Sequence, residues 1–374
     1  MLAEEHLLLR DALRDFAAQR LKPYAADWDR HATFPKAALK ELAGLGTFGI
    51  AVPEAYGGAG MDYTALAVAL EEIAAGDGAT STIISVNNCP VCSILMAWAD
   101  EPQKQRFLVP LARGDKLGAF CLTEPHVGSD ASGLRTSAVR DGDHWVLNGV
   151  KQFITSGKNG DLAIVLAVTD RTAGKRGISC FIVETSTPGY VAARVEEKLG
   201  QHASDTAQIV FENCRVPADQ LIGDEGAGYK IALSGLEGGR IGIAAQSVGM
   251  ARAAYEAALA YARERIAFGK PIFEHQAVQF RLADMATRIE AARQLIHHAA
   301  RLKDAGQPCL KQAAMAKLYA SEMAEHVCSD AIQIHGGYGY VSDFPVERIY
   351  RDVRVCQIYE GTSDIQRMLI ARNL

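Results

Sequence analysis

The sequence lacks the features of nucleic-acid-binding, membrane and exported proteins. Its 374 residues carry a formal net charge of −5 and no arginine-rich tract, whereas nucleic-acid backbones are bound by clustered Lys and Arg. By inspection of the sequence, no apolar run is expected to reach the length of a membrane-spanning helix, which needs roughly 20 residues. Acidic residues at positions 4 and 5 argue against a targeting peptide. We therefore expect no nucleic-acid partner, no membrane span and a bacterial cytoplasmic location, or the mitochondrial matrix for a processed eukaryotic chain.

A cysteine framework is also missing. The eight cysteines are scattered along the chain, and without an export signal they are predicted to be free thiols. Cys89 and Cys92 form a lone CxxC motif. A zinc site needs a second ligand pair, and a redox motif lies near a βαβ unit. We find neither, so the sequence predicts no metal site and two buried thiols on a helix.

The pattern of apolar residues divides the chain into three parts. Hydrophobic residues make up 49% and charged residues 22%, so a large core is possible. Apolar residues recur at helical spacing at first, strands follow, and helical spacing then returns. The sequence predicts an α+β protein with domains at 1–117, 118–222 and 223–374. Asp62 is expected to cap a helix in the first domain.

Within this division several elements are specific. Asn148-Gly149, between apolar segments 144–147 and 150–154, predicts a hairpin turn. Apolar runs predict further strands, and alanine-rich stripes predict long helices that pack closely. The predicted strands are 162–169, 178–183 and 206–211, and the later helices are 276–304, 309–336 and 363–373.

Two glycine motifs resemble nucleotide loops without their context. Gly336-Gly337-Tyr338-Gly339 follows a helix, whereas the dinucleotide fingerprint follows a strand. Gly361-Thr362 lacks the lysine of a P-loop. A Rossmann or P-loop protein is therefore not predicted.

Three short segments carry candidate functional groups. Thr123 and Ser129 flank Gly128 and could bind a polar ligand, although Gly-Ser-Asp is more often a turn. Phe153 and Thr155 could face a planar ring, or belong to the core and a turn. Glu360 precedes a helix. A carboxylate at this place is favoured by the helix dipole, forms part of the helix cap, or has a catalytic function. From these residues alone the alternatives stay open.

Taken together, these segments resemble the acyl-CoA dehydrogenase family over nearly the whole chain. Val127 departs from the pattern, since the family usually has a small residue there, and it could crowd the edge of a flavin. The resemblance implies an N-terminal helical domain, a middle β-barrel and a C-terminal four-helix bundle. The matching motifs are 121–133, 236–240, 263–270 and 333–340, followed by Asp343, Arg348 and Asp352.

The resemblance implies FAD-dependent α,β-dehydrogenation of a fatty acyl-CoA to the trans-2-enoyl-CoA. Glu360 would abstract the α proton, and flavin N5 would take the β hydride. The amide of Glu360 and a flavin ribityl hydroxyl would bind the thioester oxygen as negative charge develops there. Burial against the acyl chain would raise the pKa of Glu360 and strengthen it as a base.

The resemblance also assigns binding residues. Arg265, Phe268, Gln276 and residues 333–337 would bind the ADP half of a FAD held by the adjacent subunit, and the guanidinium of Arg265 suits a diphosphate. This sharing implies a homo-oligomer, which is a tetramer in most relatives, and electron-transfer flavoprotein would receive the electrons. The cofactor residues are Phe120, Leu122, Thr123, Gly128, Ser129, Phe153, Thr155, Arg265, Phe268, Gln276, Gln333, Gly336, Gly337, Thr362 and Asp364. The substrate residues are Ser129, Tyr359 and Gly361, with Glu237 and Arg240 near the pantetheine or adenine end.

Alternatives within and outside the family remain. Some relatives carry the base near position 239, but Gly239 has no carboxylate. An acyl-CoA oxidase has the same fold, but the chain has neither an extra C-terminal domain nor a peroxisomal Ser-Lys-Leu ending. A non-catalytic scaffold would lack FAD and be colourless. Segments 236–245 and 276–285 are most similar to short-chain relatives, which favours short or short-branched acyl groups.

Overall fold

The computed structural model describes residues 2–374, and its N-terminal part is helical. Asp62 caps α4, since its Oδ1 accepts a hydrogen bond from the amide of Ala65 at 2.7 Å, as predicted. Helix α4 is almost entirely buried and packs between α1 and α9 of the C-terminal part. The N-terminal helices are α1 (Glu4–Phe16), α2 (Ala25–His31), α3 (Lys36–Gly44), α4 (Tyr63–Gly76), α5 (Gly78–Val86), α6 (Ser93–Trp98), α7 (Glu101–Gln103) and α8 (Val109–Arg113).

One helical stretch corrects an expectation from the sequence. Gly78–Trp98 is long and apolar enough to cross a membrane by length and composition, although we had expected no such run. In the structure 83% of its most apolar window is buried inside the protein. This burial identifies the stretch as a core segment, because a buried core helix can be as long and as apolar as a membrane-spanning one.

Eight strands between Gly118 and Ile222 form one curled sheet in the order β6-β7-β3-β2-β4-β5-β8, with β1 paired to β4. Trp145 of β3 contacts Phe181 of β5, with ring centroids 5.5 Å apart, although β2 and β4 separate these strands in the sheet. The sheet therefore wraps around its own core. The strands are β1 (Gly118–Cys121), β2 (Ser137–Asp141), β3 (His144–Thr155), β4 (Leu162–Val168), β5 (Ile178–Glu184), β6 (Tyr190–Val195), β7 (Thr206–Pro217) and β8 (Leu221–Ile222).

Strand β4 shows how the sheet joins two cores. Its side chains alternate, as they must along a strand. Ala163, Val165 and Ala167 point into the core inside the sheet. Leu162, Ile164 and Leu166 pack with N-terminal helices on the other face. This double burial explains why the segment is a continuous apolar run rather than an alternating one.

The predicted hairpin at Asn148-Gly149 is wrong. His144–Thr155 is one continuous strand, and the turn comes earlier, at Gly142, which has φ +61° and joins β2 to β3. At Gly149 the pairing with β7 shifts register, and a Cβ there would lie 2.6 Å from the backbone of Thr136. The glycine therefore permits a close crossing at a bulge, which is the other common use of glycine inside a strand.

The C-terminal part is built on three long helices. Helices α9, α10 and α11 pack on one another, and α12 and α13 pack on α11. Buried alanines line the contacts, which lets the helices approach closely. The order of helical, β and helical parts confirms the predicted fold class; the domain boundaries after residues 117 and 222 stay predictions. The elements are α9 (Gly228–Glu264), β9 (Ile266–Ala267), β10 (Lys270–Pro271), α10 (Gln276–Asp304), α11 (Leu310–His335), α12 (Val346–Val353) and α13 (Ser363–Arg372).

All eight cysteines are free and buried. Cys89 has extended backbone angles (φ −137°, ψ 120°), so it lies at a kink between α5 and α6 rather than on a regular helix as predicted. Burial raises the pKa of the Cys92 thiol well above its usual value, which makes this thiol a poor nucleophile.

Candidate active site

Glu360 lies in the turn between α12 and α13, and its side chain points at helix α9. Both carboxylate oxygens are inaccessible to solvent and have no hydrogen-bond partner among residues 2–374. A Cβ placed on Gly239 would lie 2.1 Å from Oε2 of Glu360. The carboxylate therefore fills the space that a side chain at position 239 would need, so a base at 239 and a base at 360 exclude each other in this geometry.

The surroundings of Glu360 favour its protonated form near neutral pH. Burial raises its pKa to about 7, and the positive charges of Arg240 and Lys317 offset only part of this rise. The residue as a whole is half-buried, but the carboxylate oxygens are enclosed. A carboxyl group with this pKa is suited to accept a proton at physiological pH.

The helix that follows Glu360 is capped by another residue. The hydroxyl of Thr362 accepts a hydrogen bond from the amide of Ile365 at 3.4 Å at the start of α13. Glu360 is thus not the cap, which removes one of the alternatives left open by the sequence. Asp364 is exposed and lies 3.6 Å from Arg367.

The predicted substrate residues lie in different surroundings. Arg240 is buried and its positive charge acts on Glu360, while its contact with the pantetheine or adenine end of a substrate stays a prediction. Glu237 pairs with Lys303, with Nζ 3.2 Å from Oε1. The hydroxyl of Tyr359 donates to Oε1 of Gln246 at 3.0 Å, which fixes the residue before the base.

A buried ion pair, which the sequence did not reveal, holds the first predicted flavin segment. Lys151 Nζ lies 2.8 Å from Oε1 of Glu124, and it also donates to the carbonyl of Leu122 at 3.1 Å. The backbone amide of Gln152 donates to the carbonyl of Thr123 at 2.8 Å. Together these contacts fix residues 122–124, and thereby the half-buried Thr123 hydroxyl, at the end of β1.

Val127 is a core residue in the structure. Its side chain is only 9% exposed and packs in the core on the outer face of the sheet. Gly128 and Ser129, which follow it, are exposed. The effect of Val127 on the edge of a flavin stays a prediction.

The end of β3 presents an uncovered aromatic ring beside polar groups. Phe153 is 63% exposed, and both Phe153 and Ser156 have left-handed backbone angles (φ 59° and 57°). The hydroxyl of Ser156 is buried without a hydrogen-bond partner among residues 2–374. Strained backbone and an exposed aromatic side chain at a strand end are typical of a ligand site. The exposed ring and the half-buried hydroxyl of Thr155 are suited to a flat, polar-edged group such as a flavin.

A second concave surface lies at the C-terminal end of α11. This groove, of about 690 Å³, is lined by Arg265, Tyr338 and residues 334–337, among others. The Arg265 guanidinium lies 5.9 Å from the centre of the Tyr338 ring. The structure thus brings Arg265, Gly336 and Gly337 together, and nearby Phe268 is 95% exposed. Gln276 and Gln333 are exposed but do not line the groove. A fixed cation in an open groove is suited to a diphosphate.

An enclosed carboxyl group, unpaired within residues 2–374, and an exposed aromatic ring at a strand end mark this chain as carrying a candidate enzyme site. Comparison with known proteins gives the family. Descriptions of the acyl-CoA dehydrogenase N-terminal, middle and C-terminal domains match residues 3–115, 119–214 and 226–374. The chain belongs to the acyl-CoA dehydrogenase family, whose members are oxidoreductases acting on CH–CH groups and use FAD.

Individual relatives agree over the full length. The human mitochondrial short-chain specific acyl-CoA dehydrogenase is 48% identical over 373 residues, which are 100% of this chain and 90% of the relative. The butyryl-CoA dehydrogenase of Megasphaera elsdenii has a TM-score of 0.97 and 42% identity, covering 100% and 98% of the two chains. A chain from a structure described as the electron transferring flavoprotein of Acidaminococcus fermentans has a TM-score of 0.98 and 44% identity, covering 100% and 98%.

Proposed function

We propose that this protein removes the α and β hydrogens of a short or short-branched acyl-CoA thioester, giving the trans-2-enoyl-CoA, with Glu360 as the base. The observation that carries this proposal is the enclosed, unpaired carboxyl group of Glu360 with a pKa near 7. Such a group is costly to bury without partners, so its presence favours a functional role over a structural one. Because the chain belongs to a family of enzymes and also has this carboxyl group, a catalyst is favoured over a non-catalytic scaffold.

The residues of this chain perform the proton transfer. When the α C–H bond breaks, a Glu360 oxygen takes the proton, and the electron pair moves towards the thioester carbonyl. The backbone amide of Glu360 is proposed to donate to the thioester oxygen and stabilise this charge. FAD, when bound, supplies the acceptor for the β hydrogen, which leaves with its electron pair as the α,β double bond forms. Gly361, at φ +94° and without a side chain, lets the thioester approach closely.

The preference for short acyl groups is supported by close packing next to the base. A Cβ on Gly238 would lie 2.8 Å from the ring of Tyr63 and 3.0 Å from the thiol of Cys89. Helix α9 therefore contacts the N-terminal helices tightly one residue away from Gly239. A relative specific for short chains, and another acting on butyryl-CoA by its name, agree with a shallow pocket.

An anaerobic titration with acyl-CoAs of increasing length tests the proposal. Bleaching of the bound flavin by butyryl-CoA, with weaker bleaching by long chains, is the expected result. No bleaching with any acyl-CoA would refute dehydrogenation, and a preference for long chains would refute the short-chain assignment. Reoxidation by electron-transfer flavoprotein rather than by oxygen would separate the dehydrogenase from the oxidase.

The acidic limb of the pH–rate profile should report Glu360. Because its pKa is raised to about 7, the base is mostly protonated and inactive below that pH. We expect kcat/KM for butyryl-CoA to rise with pH through a midpoint near this value and then level off. Rates measured from pH 5 to 9 check this expectation. A limb with the midpoint of an ordinary glutamate would contradict it.

Arg265→Ala should lower the retention of FAD without unfolding the protein. Its exposed guanidinium lines the open groove and lies near the Tyr338 ring at the edge of the groove, so its loss mainly removes a ligand contact rather than a structural one. The ratio of flavin to protein after gel filtration measures the effect. Arg263→Ala, on the same helix end, is the control. Equal FAD content in both variants would refute the diphosphate role of Arg265.

A further inference from the structure

Two buried side chains hold the carbonyl group of Gly361, directly after the proposed base. Lys317 Nζ donates to this oxygen at 2.6 Å and Gln366 Nε2 donates at 2.8 Å. Both side chains are completely buried, Lys317 on α11 and Gln366 on α13. Two elements therefore converge on one carbonyl group that belongs to neither of them.

The turn that these donors hold is strained. Glu360 has φ 52° and Gly361 has φ 94°, both in the left-handed region. A non-glycine residue is disfavoured in this region and persists only where its surroundings impose it. The direction of the Gly361 carbonyl is part of this conformation. Gln366 Nε2 also reaches the carbonyl of Glu360, at 3.4 Å, so the donors span both peptide groups after the base.

Lys317 is also an unusual residue at its position. It lies on the face of α11 that is otherwise lined by buried alanines, and among residues 2–374 its hydrogen-bond acceptor is the Gly361 carbonyl. The titratable groups around it are Glu360, Arg240 from α9 and the Cys356 thiol, whose pKa is raised by burial so that it stays neutral. Burial lowers the pKa of Lys317 to about 8. A cation in this setting is costly, and a purely apolar contact would be served better by an alanine or leucine.

We propose that Lys317 is a positioning residue for the base: through the Gly361 carbonyl it holds the turn that aims Glu360 at Gly239 and directs the Glu360 amide, and its charge favours ionised Glu360. Gln366 shares the first task but not the second, because it is neutral. This inference rests on the proposed function of Glu360. Lys317 would act on Glu360 in two ways, by holding its position and by favouring its ionised form. Two variants separate these effects.

Lys317→Met tests both parts, because methionine is similar in length but has neither donor nor charge. In the holoprotein we expect kcat with butyryl-CoA to fall at least about tenfold while KM changes less than about threefold, since a misplaced base slows chemistry more than binding. The carboxyl group of Glu360 should titrate about one pH unit higher, because a nearby positive charge is lost. Its infrared carbonyl band, assigned by its absence in Glu360→Gln, measures this titration without turnover.

Gln366→Met removes the second donor and no charge, and it keeps the proposal testable if Lys317→Met does not fold. It should lower kcat without moving the titration of Glu360. Lys311→Met, a partly exposed lysine of the same helix, is the control and should match the unmodified protein. An unmoved Glu360 titration in Lys317→Met, or a normal kcat in Gln366→Met, would overturn the proposal. Failure of the unmodified protein to bleach with any acyl-CoA would instead refute the proposed function.

Discussion

Glu360→Gln should abolish reductive bleaching by butyryl-CoA while the variant still binds FAD and acyl-CoA. Glutamine has nearly the same shape but cannot accept the α proton, so kcat should fall by about 100-fold to 10,000-fold, the usual contribution of a general base. Stopped-flow measurement of flavin absorbance under anaerobic conditions records the rate of the chemical step. Binding of the acyl-CoA is followed separately by the perturbation of the flavin spectrum.

A matched control distinguishes loss of the base from loss of a negative charge. Glu322 lies on α11 and pairs with Arg367 at 2.7 Å, at the surface near α13. Glu322→Gln removes one carboxylate from the same region and should bleach at the normal rate. Bleaching by Glu360→Gln at a rate close to that of this control would show that another group takes the proton.

Glu360→Gln should also stabilise the folded protein above neutral pH. Glu360 has a pKa of about 7 when folded and 4.5 as a free side chain, so the folded protein binds this proton more tightly than the unfolded chain. Its contribution is therefore full below pH 4.5 and is lost as the pH rises through about 7. At pH 8 Glu360→Gln should raise the free energy of unfolding by about 1–3 kcal/mol. Urea unfolding of both proteins at pH 5 and pH 8 measures this, with the larger difference expected at pH 8.

The parts of the structure that the sequence predicted are those with a strong local pattern. The three-part division follows from apolar spacing, and helix α10 begins and ends at the predicted residues, Gln276 and Asp304. The predicted turn at Asn148-Gly149 was wrong because this segment pairs with β7 as part of a continuous strand. Gly149 is needed there for the close approach to Thr136, not for a turn. Local propensity is weakest where distant segments decide the backbone.

The candidate site was only partly predictable for a related reason. Glu360 was identified by resemblance, but its partners are distant in sequence: Gly239 lies 121 positions earlier and Lys317 lies 43 positions earlier. A lysine in the alanine-rich stripe of α11 was a visible signal, since a cation on an apolar helix face needs a partner. The identity of that partner, a backbone carbonyl after the base, depends on tertiary packing and is not encoded in local spacing. The individual binding residues at the flavin and substrate sites stay predictions.

Gly239→Ala should inactivate the protein without unfolding it. The added Cβ would lie 2.1 Å from Oε2 of Glu360, less than any real contact, so the carboxylate must move by an ångström or more. A displacement of this size at a reacting group costs about 100-fold in rate. Alanine also favours the helix over glycine by about 1 kcal/mol, which offsets part of the strain of this displacement, so the protein should stay folded. Activity with butyryl-CoA and thermal unfolding, measured on the same holoprotein, give the two expected results.

The value of Gly239→Ala lies in separating activity from stability at one methyl group. Gly44→Ala, at the end of α3 with no atom within 4 Å of the new Cβ, is the control and should keep full activity. If Gly239→Ala were fully active, Glu360 would have to work from an orientation other than the one in which it fills the space of that side chain. If it were inactive but unfolded, the contact would be structural. Loss of activity in a stable protein is the result expected if the carboxylate of Glu360 lies against α9. The assignment of Glu360 as the base depends on this geometry.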